Sequence, residues 1–136
     1  MVVDQNFLKV KKYFLLIIFF VLFTSKSYSS NYIFTKIIEL EEPWGSSFIN
    51  NSEIIITEKG GKIKIVNVVS KEVLEIKHNL NFLEVGQGGL LDIIHQDNTL
   101  WISYSENRGD SKTSTSIAKA MLNKQEVNFI NIFQAN

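Results

Sequence analysis

The feature that most restricts this chain's fold is period-two alternation. Lys62-Ile63-Lys64-Ile65-Val66 alternates polar and apolar side chains, and Ile54-Ile55-Ile56-Thr57-Glu58 before it is β-branched almost throughout. Lys59-Gly60-Gly61 separates the two runs, which predicts a β-hairpin closed by a glycine turn. Val73 to Lys77, Leu90 to Ile94, Thr99 to Tyr104, Ser114 to Leu122 and Val127 to Phe133 read as further strands. Gln96-Asp97-Asn98 and Asn123-Lys124-Gln125 are the turns between them, and the polar stretch Ser105 to Thr115 reads as a loop turning at Gly109-Asp110. No segment carries a 3.6-residue apolar stripe. Ser116 to Leu122 contains the helix formers Ala and Met, but its shortness and its Ser and Thr neighbours favour a strand.

The expectation is therefore an all-β fold. Strands at about ten-residue spacing suit a sandwich, a barrel or propeller blades. About four strands fall in each stretch of roughly 45–55 residues, close to the size of a four-stranded blade. Residues 33–133 would then supply two blades of a β-propeller. Two blades cannot close a ring, so this reading expects the front end of a longer protein.

Gly86-Gln87-Gly88-Gly89-Leu90-Leu91-Asp92 is the segment richest in functional meaning. Three glycines free the backbone for a sharp turn or a close approach, and Gln87 is the only long polar side chain the loop displays. From spacing alone two readings stand: a surface turn with its amide in water, or a loop presenting Gln87 to a ligand.

The N-terminus reads as a targeting segment. Lys9, Lys11 and Lys12 precede the uncharged run Tyr13 to Phe23, and small residues alternate through Thr24 to Ser29. A basic region, a short apolar core and a small-residue exit describe a secretory signal peptide over residues 1–29. The apolar run falls short of the roughly 20 residues that cross a bilayer, so no permanent membrane anchor is expected and the destination is periplasmic or secreted. Of 14 basic and 14 acidic residues, this segment holds four (Lys9, Lys11, Lys12, Lys26) and one (Asp4). Its removal leaves ten and thirteen, a net charge of −3, which argues against a nucleic-acid surface. The absence of cysteine excludes a disulfide scaffold, a thiol nucleophile and cysteine-based zinc sites.

Five motifs resemble one family. Glu42-Pro43-Trp44-Gly45-Ser46-Ser47-Phe48 is similar to the "PWG-small-small-F" opening of soluble aldose sugar dehydrogenases of the glucose/sorbosone dehydrogenase family, which use pyrroloquinoline quinone (PQQ). Ile55 to Ile63 resembles that family's "LLVTERGGRL" hairpin, and Gly86 to Asp92 matches its GQGGLLD block letter for letter. Trp101 to Glu106 resembles its "IYLSYSE" strand and Ser116 to Ala120 its "AVARA" strand. Each motif is weak alone; in order, they cover nearly all of residues 40–122.

The resemblance implies a six-bladed propeller with PQQ over the central channel and a calcium ion on the quinone. A histidine acts as general base on the anomeric hydroxyl of an aldose while hydride passes to the quinone. Gln87 matches the family glutamine that reaches the sugar near the reacting carbon, and an amide can both donate to and accept from hydroxyls. The resemblance assigns no catalytic, cofactor-binding or metal-binding residue to these 136 residues. The family's base and its quinone-holding Arg, Asn and Lys belong to later segments, so no quinone or calcium is expected on this chain's own residues. For the longer protein it implies an aldose substrate and an electron acceptor, and leaves a homodimer open.

Other residues carry plainer readings. His95 lies where the family has a His-Pro-Asp turn but lacks its Pro and Phe, so it reads as a turn or strand-end residue; His78 reads as a loop residue. Asp92 is expected to be a buried carboxylate bonded to the glycine loop or neighbouring backbone. Trp44 and Trp101 are expected in the core. Arg108, the only arginine, reads as a solvated charge, and the Glu39 to Glu42 cluster as a solvated strand end. Asp97 and Asp110 lack calcium-loop spacing. The leading expectation is thus part of an exported quinone-dependent aldose dehydrogenase that converts aldoses to lactones at C1, inactive as this chain alone. The alternatives are a non-catalytic exported β-domain binding a carbohydrate or a protein, and a non-enzymatic propeller.

Overall fold

A computed structural model describes residues 12–15 and 30–136. The expected signal peptide lies outside the described residues except for 12–15, which form a helical turn. No described helix is long and apolar enough to cross a membrane. The chain divides into two units, residues 1–35 and 36–136, and the second holds every strand of the described residues.

Among the described residues nine strands form in chain order: β1 (Pro43–Phe48), β2 (Glu53–Glu58), β3 (Ile63–Asn67), β4 (Val73–His78), β5 (Leu90–Gln96), β6 (Thr99–Asn107), β7 (Thr113–Met121), β8 (Glu126–Val127) and β9 (Ile130–Gln134). They make two sheets, β1-β2-β3-β4-β8 and β5-β6-β7-β9. Antiparallel neighbours follow one another in sequence except β7 and β9, between which β8 leaves to pair in parallel with β4.

The turns follow their sequences. Glu58 accepts the Gly61 N–H at 2.9 Å and donates its own N–H to Lys62 O at 2.8 Å, and Gly61 has φ +99°. This is a three-residue hairpin loop with glycine at the left-handed position. Asp97 and Asn98 both have positive φ, at 48° and 60°, the pattern of a type I′ turn joining β5 to β6.

Period-two alternation sets the core. Ile55, Ile63, Ile65 and Ile76 from the first sheet meet Leu90, Ile93, Leu100, Ile102, Tyr104, Ala118 and Ala120 from the second. Burying an isoleucine of this kind contributes about 1.5–3 kcal/mol. The opposite face of the second sheet leaves Ile94, Trp101, Met121, Ile130 and Phe133 exposed. Trp101 therefore lies outside this core, with the Lys119 ammonium 5.7 Å from its ring centre, and Trp44 is also exposed. Both tryptophans depart from the core positions expected of them, because each falls on the outward phase of its strand.

Two strand expectations also change. The polar stretch from Ser105 is shorter as a loop than its composition suggests, since β6 runs to Asn107 and β7 starts at Thr113. The expected strand Val127 to Phe133 splits into β8 and β9. Val127 and Phe129 turn into the core, while Ile130 onward pairs with β7. Asn79 fixes the crossing: its Oδ1 accepts the Phe129 N–H at 2.7 Å and its Nδ2 donates to Phe129 O at 3.1 Å.

Candidate functional site

The glycine loop forms a turn in which the Gly88 N–H donates to Val85 O at 2.8 Å. Gly86 has φ +58°, whereas Gln87 does not have positive φ. Positive φ at the first central residue alone is the type II′ pattern, which favours glycine there. Gln87, at the second central position, is exposed at the tip.

Close contacts on both sides fix the loop. The Gly89 position, at φ +136°, would place a β-carbon 2.2 Å from the carbonyl oxygen of Lys59; one on Gly88 would lie 2.9 Å from Ser105 Oγ. The same carbonyls and amides are bonded: Leu90 N–H to Lys59 O at 3.1 Å, Ser105 N–H to Gly89 O at 2.8 Å, and Leu83 N–H to Ser105 O at 2.9 Å. The β2–β3 hairpin end and the end of β6 thus hold the loop between them. The Lys59 ammonium lies 3.8 Å from Glu42 and 3.6 Å from Glu84 across the same end.

His78 belongs to this support. It lies at the end of β4, rather than in the expected loop, because the strand continues to pair with β8 there. The Leu80 N–H points to Nδ1 at 3.3 Å, which assigns the proton to Nε2 and makes Nε2 the donor to Gly61 O at 2.7 Å. Phe82 fills the space beside Gly61, where a β-carbon would meet its ring at 2.0 Å.

Beyond the loop, the two sheets touch through backbone. Gly45 on β1 approaches β5 so closely that a β-carbon would lie 2.6 Å from Asp92 Cα. Thr57 bridges the contact: its Oγ1 donates to Leu91 O at 2.5 Å and accepts the Gly45 N–H at 3.0 Å. Both of these edge strands, β1 and β5, have irregular register there, between Pro43 and Gly45 and between Leu90 and Ile93. Asp92 sits in the second irregularity and is exposed, in contrast to the buried position expected. The extra residue turns its side chain outward, and Oδ1 accepts the adjacent Ile93 N–H at 2.9 Å.

His95 is the penultimate residue of β5, where its N–H donates to Ser47 Oγ at 3.0 Å. Five residues of strand beyond Leu90, roughly 15 Å, separate it from the glycine loop. That distance fits the strand-end reading.

Three polar groups escaped the sequence reading. Glu58 is buried: Oε1 accepts the Glu41 N–H at 2.7 Å and the Lys64 ammonium at 2.8 Å, while Oε2 has no partner among the described residues. Glu106 accepts from Ser116 Oγ at 2.5 Å, Asn131 Nδ2 at 3.1 Å and Gln134 Nε2 at 2.9 Å. Arg108 Nη2 lies 3.0 Å from Glu106 Oε2, so Arg108 is an ion-pair partner rather than a purely solvated charge. Burial alone would raise the Glu106 carboxyl; the Ser116 and Gln134 hydrogen bonds, the Arg108 charge and Asn131 together outweigh it, leaving the group below the usual carboxylate range. Tyr104 is pushed up by burial, partly offset by the bond its hydroxyl donates to Asn131 Oδ1 at 2.8 Å. Of the Glu39 to Glu42 cluster, Glu41 is exposed as expected but pairs with Lys62 at 2.6 Å, and that bond holds its carboxyl below the usual range. The only forward signal for these partners was the TEKGG and SYSE spelling, which does not reveal where a side chain bonds.

Comparison with known proteins identifies the family and the fold. Residues 40–136 match the sequence profile of a family described as Glucose / Sorbosone dehydrogenase. The chain is similar to "Aldose sugar dehydrogenase YliI" of Escherichia coli (strain K12), 29% identical over 90 residues, covering 62% of this chain and 24% of that protein. Its fold is similar to that of the soluble aldose sugar dehydrogenase from Escherichia coli in the apo-form, with a TM-score of 0.63, 28% identity, and 70% of this chain covering 30% of that one. The PQQ-bound aldose sugar dehydrogenase from Streptomyces coelicolor aligns at a TM-score of 0.63 with 15% identity, over 71% of this chain and 31% of that one, and shares the fold. The two sheets match blades of these β-propeller dehydrogenases. The chain spans less than a third of the length of each of these relatives.

Proposed function

This chain belongs to the Glucose / Sorbosone dehydrogenase family, and on that premise we propose that its residues form the substrate-loop portion of an exported, PQQ-dependent aldose dehydrogenase. The whole enzyme oxidises an aldose at C1 to the lactone and passes the electrons to an acceptor. Gln87 is the residue of this chain that meets the sugar. Its carboxamide donates to one hydroxyl and accepts from another, and the clamped turn keeps it from swinging away. The single observation that carries the reading is the exposed Gln87 on a turn whose three glycines are each required by positive φ or by close approach.

The quinone and its calcium ion are not assigned to residues of this chain. Among the described residues no three His, Asp or Glu side chains group to hold a metal. A quinone carrying three carboxylates also needs free cations, and Lys59, whose backbone holds the loop, has its ammonium between two carboxylates. What these residues supply is sugar positioning, and the base and the redox centre belong to other parts of the enzyme. Export through a leader at residues 1–29 belongs to the same proposal, supported by the basic-apolar-small order of that segment.

Reconstitution tests it. The polypeptide carrying these residues together with the rest of a family-length chain is loaded with PQQ and calcium and given D-glucose and an artificial electron acceptor. Lactone formation is expected, and none from residues 1–136 alone. Turnover by the 136-residue chain would overturn the division of labour; no turnover by the longer polypeptide with any aldose would overturn the activity.

A further inference from the structure

We propose that Glu106 is a positioning residue for the substrate loop, acting through the backbone of β6; its consequence for sugar binding rests on the reading of Gln87 above. Past Tyr104, which pairs with Leu90, β6 has no β5 partner left. Its last residues are bonded instead to the segment that carries the loop. Leu83 N–H donates to Ser105 O at 2.9 Å, Asn107 N–H to Asn81 O at 3.0 Å and Ser105 N–H to Gly89 O at 2.8 Å, and Phe82 bridges Glu106. The end of β6 is thus the rail on which the turn at Gly86-Gln87 is mounted. A strand end of this kind frays unless its other side is held.

The β7 ladder holds that side, pairing Ser105, Glu106 and Asn107 with Thr115, Ser114 and Thr113, and the Glu106 side chain reinforces it with bonds that reach β9. Its carboxylate takes hydrogen bonds from Ser116 on β7 and from Asn131 and Gln134 on β9, and pairs with Arg108 just beyond its own strand. Tyr104 Oη adds a bond to the same Asn131. Ser116, Asn131 and Gln134 belong to β7 and β9, on the side of β6 away from the glycine loop. Charge-assisted acceptors of this kind hold their donors about twice as strongly as neutral ones. A neutral amide at this position offers one acceptor oxygen where the carboxylate offers two, and it turns an NH2 group toward the Gln134, Asn131 or Arg108 donors.

The test compares wild type with Glu106→Gln by amide hydrogen exchange and by kinetics. In the 136-residue chain, exchange at Leu83, Gly88 and Ser105 is expected to quicken by about tenfold, with Ile55 and Ile65 unchanged. Unchanged loop amides, or the same acceleration at every amide, would overturn the proposal, the second outcome being plain loss of stability. In the quinone-reconstituted enzyme, Glu106→Gln is expected to raise the KM for D-glucose with little change in kcat. In a Gln87→Ala background it is expected to add nothing. Additive effects in that cycle would overturn action through Gln87. A Gln87→Ala enzyme with unaltered kinetics would instead remove the assignment of Gln87, and the exchange result would still decide whether Glu106 holds the loop.

Discussion

The carbonyl oxygen of Lys59 occupies the space where residue 89 would carry a β-carbon: a methyl built on Gly89 would approach it to 2.2 Å. The hairpin end and the glycine loop, thirty residues apart, are therefore in backbone contact, and that contact is bonded through Leu90 N–H.

Gly89→Ala should be costly twice over, through φ +136° and through the collision. Strain of this class costs about 1–3 kcal/mol, and the clash adds to it. Gly86→Ala meets nothing within 4 Å at φ +58° and should cost only about 1–2 kcal/mol. Urea midpoints of the two variants should fall in that order; equal losses would argue against the close approach.

Thr57→Val keeps the shape and removes the hydroxyl that joins β2 to Leu91 and Gly45. Leaving those buried partners unbonded should cost about 1–3 kcal/mol. Thr57→Ser should recover most of it. The same unfolding series measures both.

Lys64→Met deprives the buried Glu58 of its ammonium while leaving the aliphatic stem. An uncompensated buried carboxylate should lower stability by about 3 kcal/mol at neutral pH. Adding Glu58→Gln to the Lys64→Met chain should recover much of the loss, because the carboxylate left without its ammonium is then neutral. No recovery would show that packing, not charge, is what Lys64 contributes.

The Glu106 network should give a pH signature of definite sign. Its folded carboxyl lies below its ordinary value of 4.5. Its contribution is therefore full above 4.5 and disappears as pH falls through the lower folded value. The stability gap between wild type and Glu106→Gln should be constant from pH 7 down to about 5 and close below that. A gap that widened in acid would mean the carboxyl is raised on folding.

Much of this was legible in sequence because period-two patterning is local. Ile54 to Glu58 and Lys62 to Val66 could be nothing but a hairpin, and the Asp97-Asn98 turn declared itself by composition. The SIAKAML stretch also resolved as strand, since its neighbours Thr113 and Ser114 pair with the lengthened β6. What stayed hidden depended on partners distant in sequence. Phe129 is buried because Asn79 captures its backbone, and Asp92 turns outward because an extra residue enters β5 opposite Ser103. The loop itself was visible from its glycines, but the reason for Gly88 and Gly89, the nearness of Ser105 and Lys59, exists only in three dimensions.

The most direct measurement of the central claim is kcat/KM for D-glucose in the quinone-reconstituted enzyme with and without Gln87→Ala. Loss of two hydrogen bonds to the sugar predicts a fall of about 10- to 100-fold, with the melting temperature unchanged because Gln87 is exposed. An unchanged kcat/KM would contradict the account, and return the glycine loop to an ordinary surface turn.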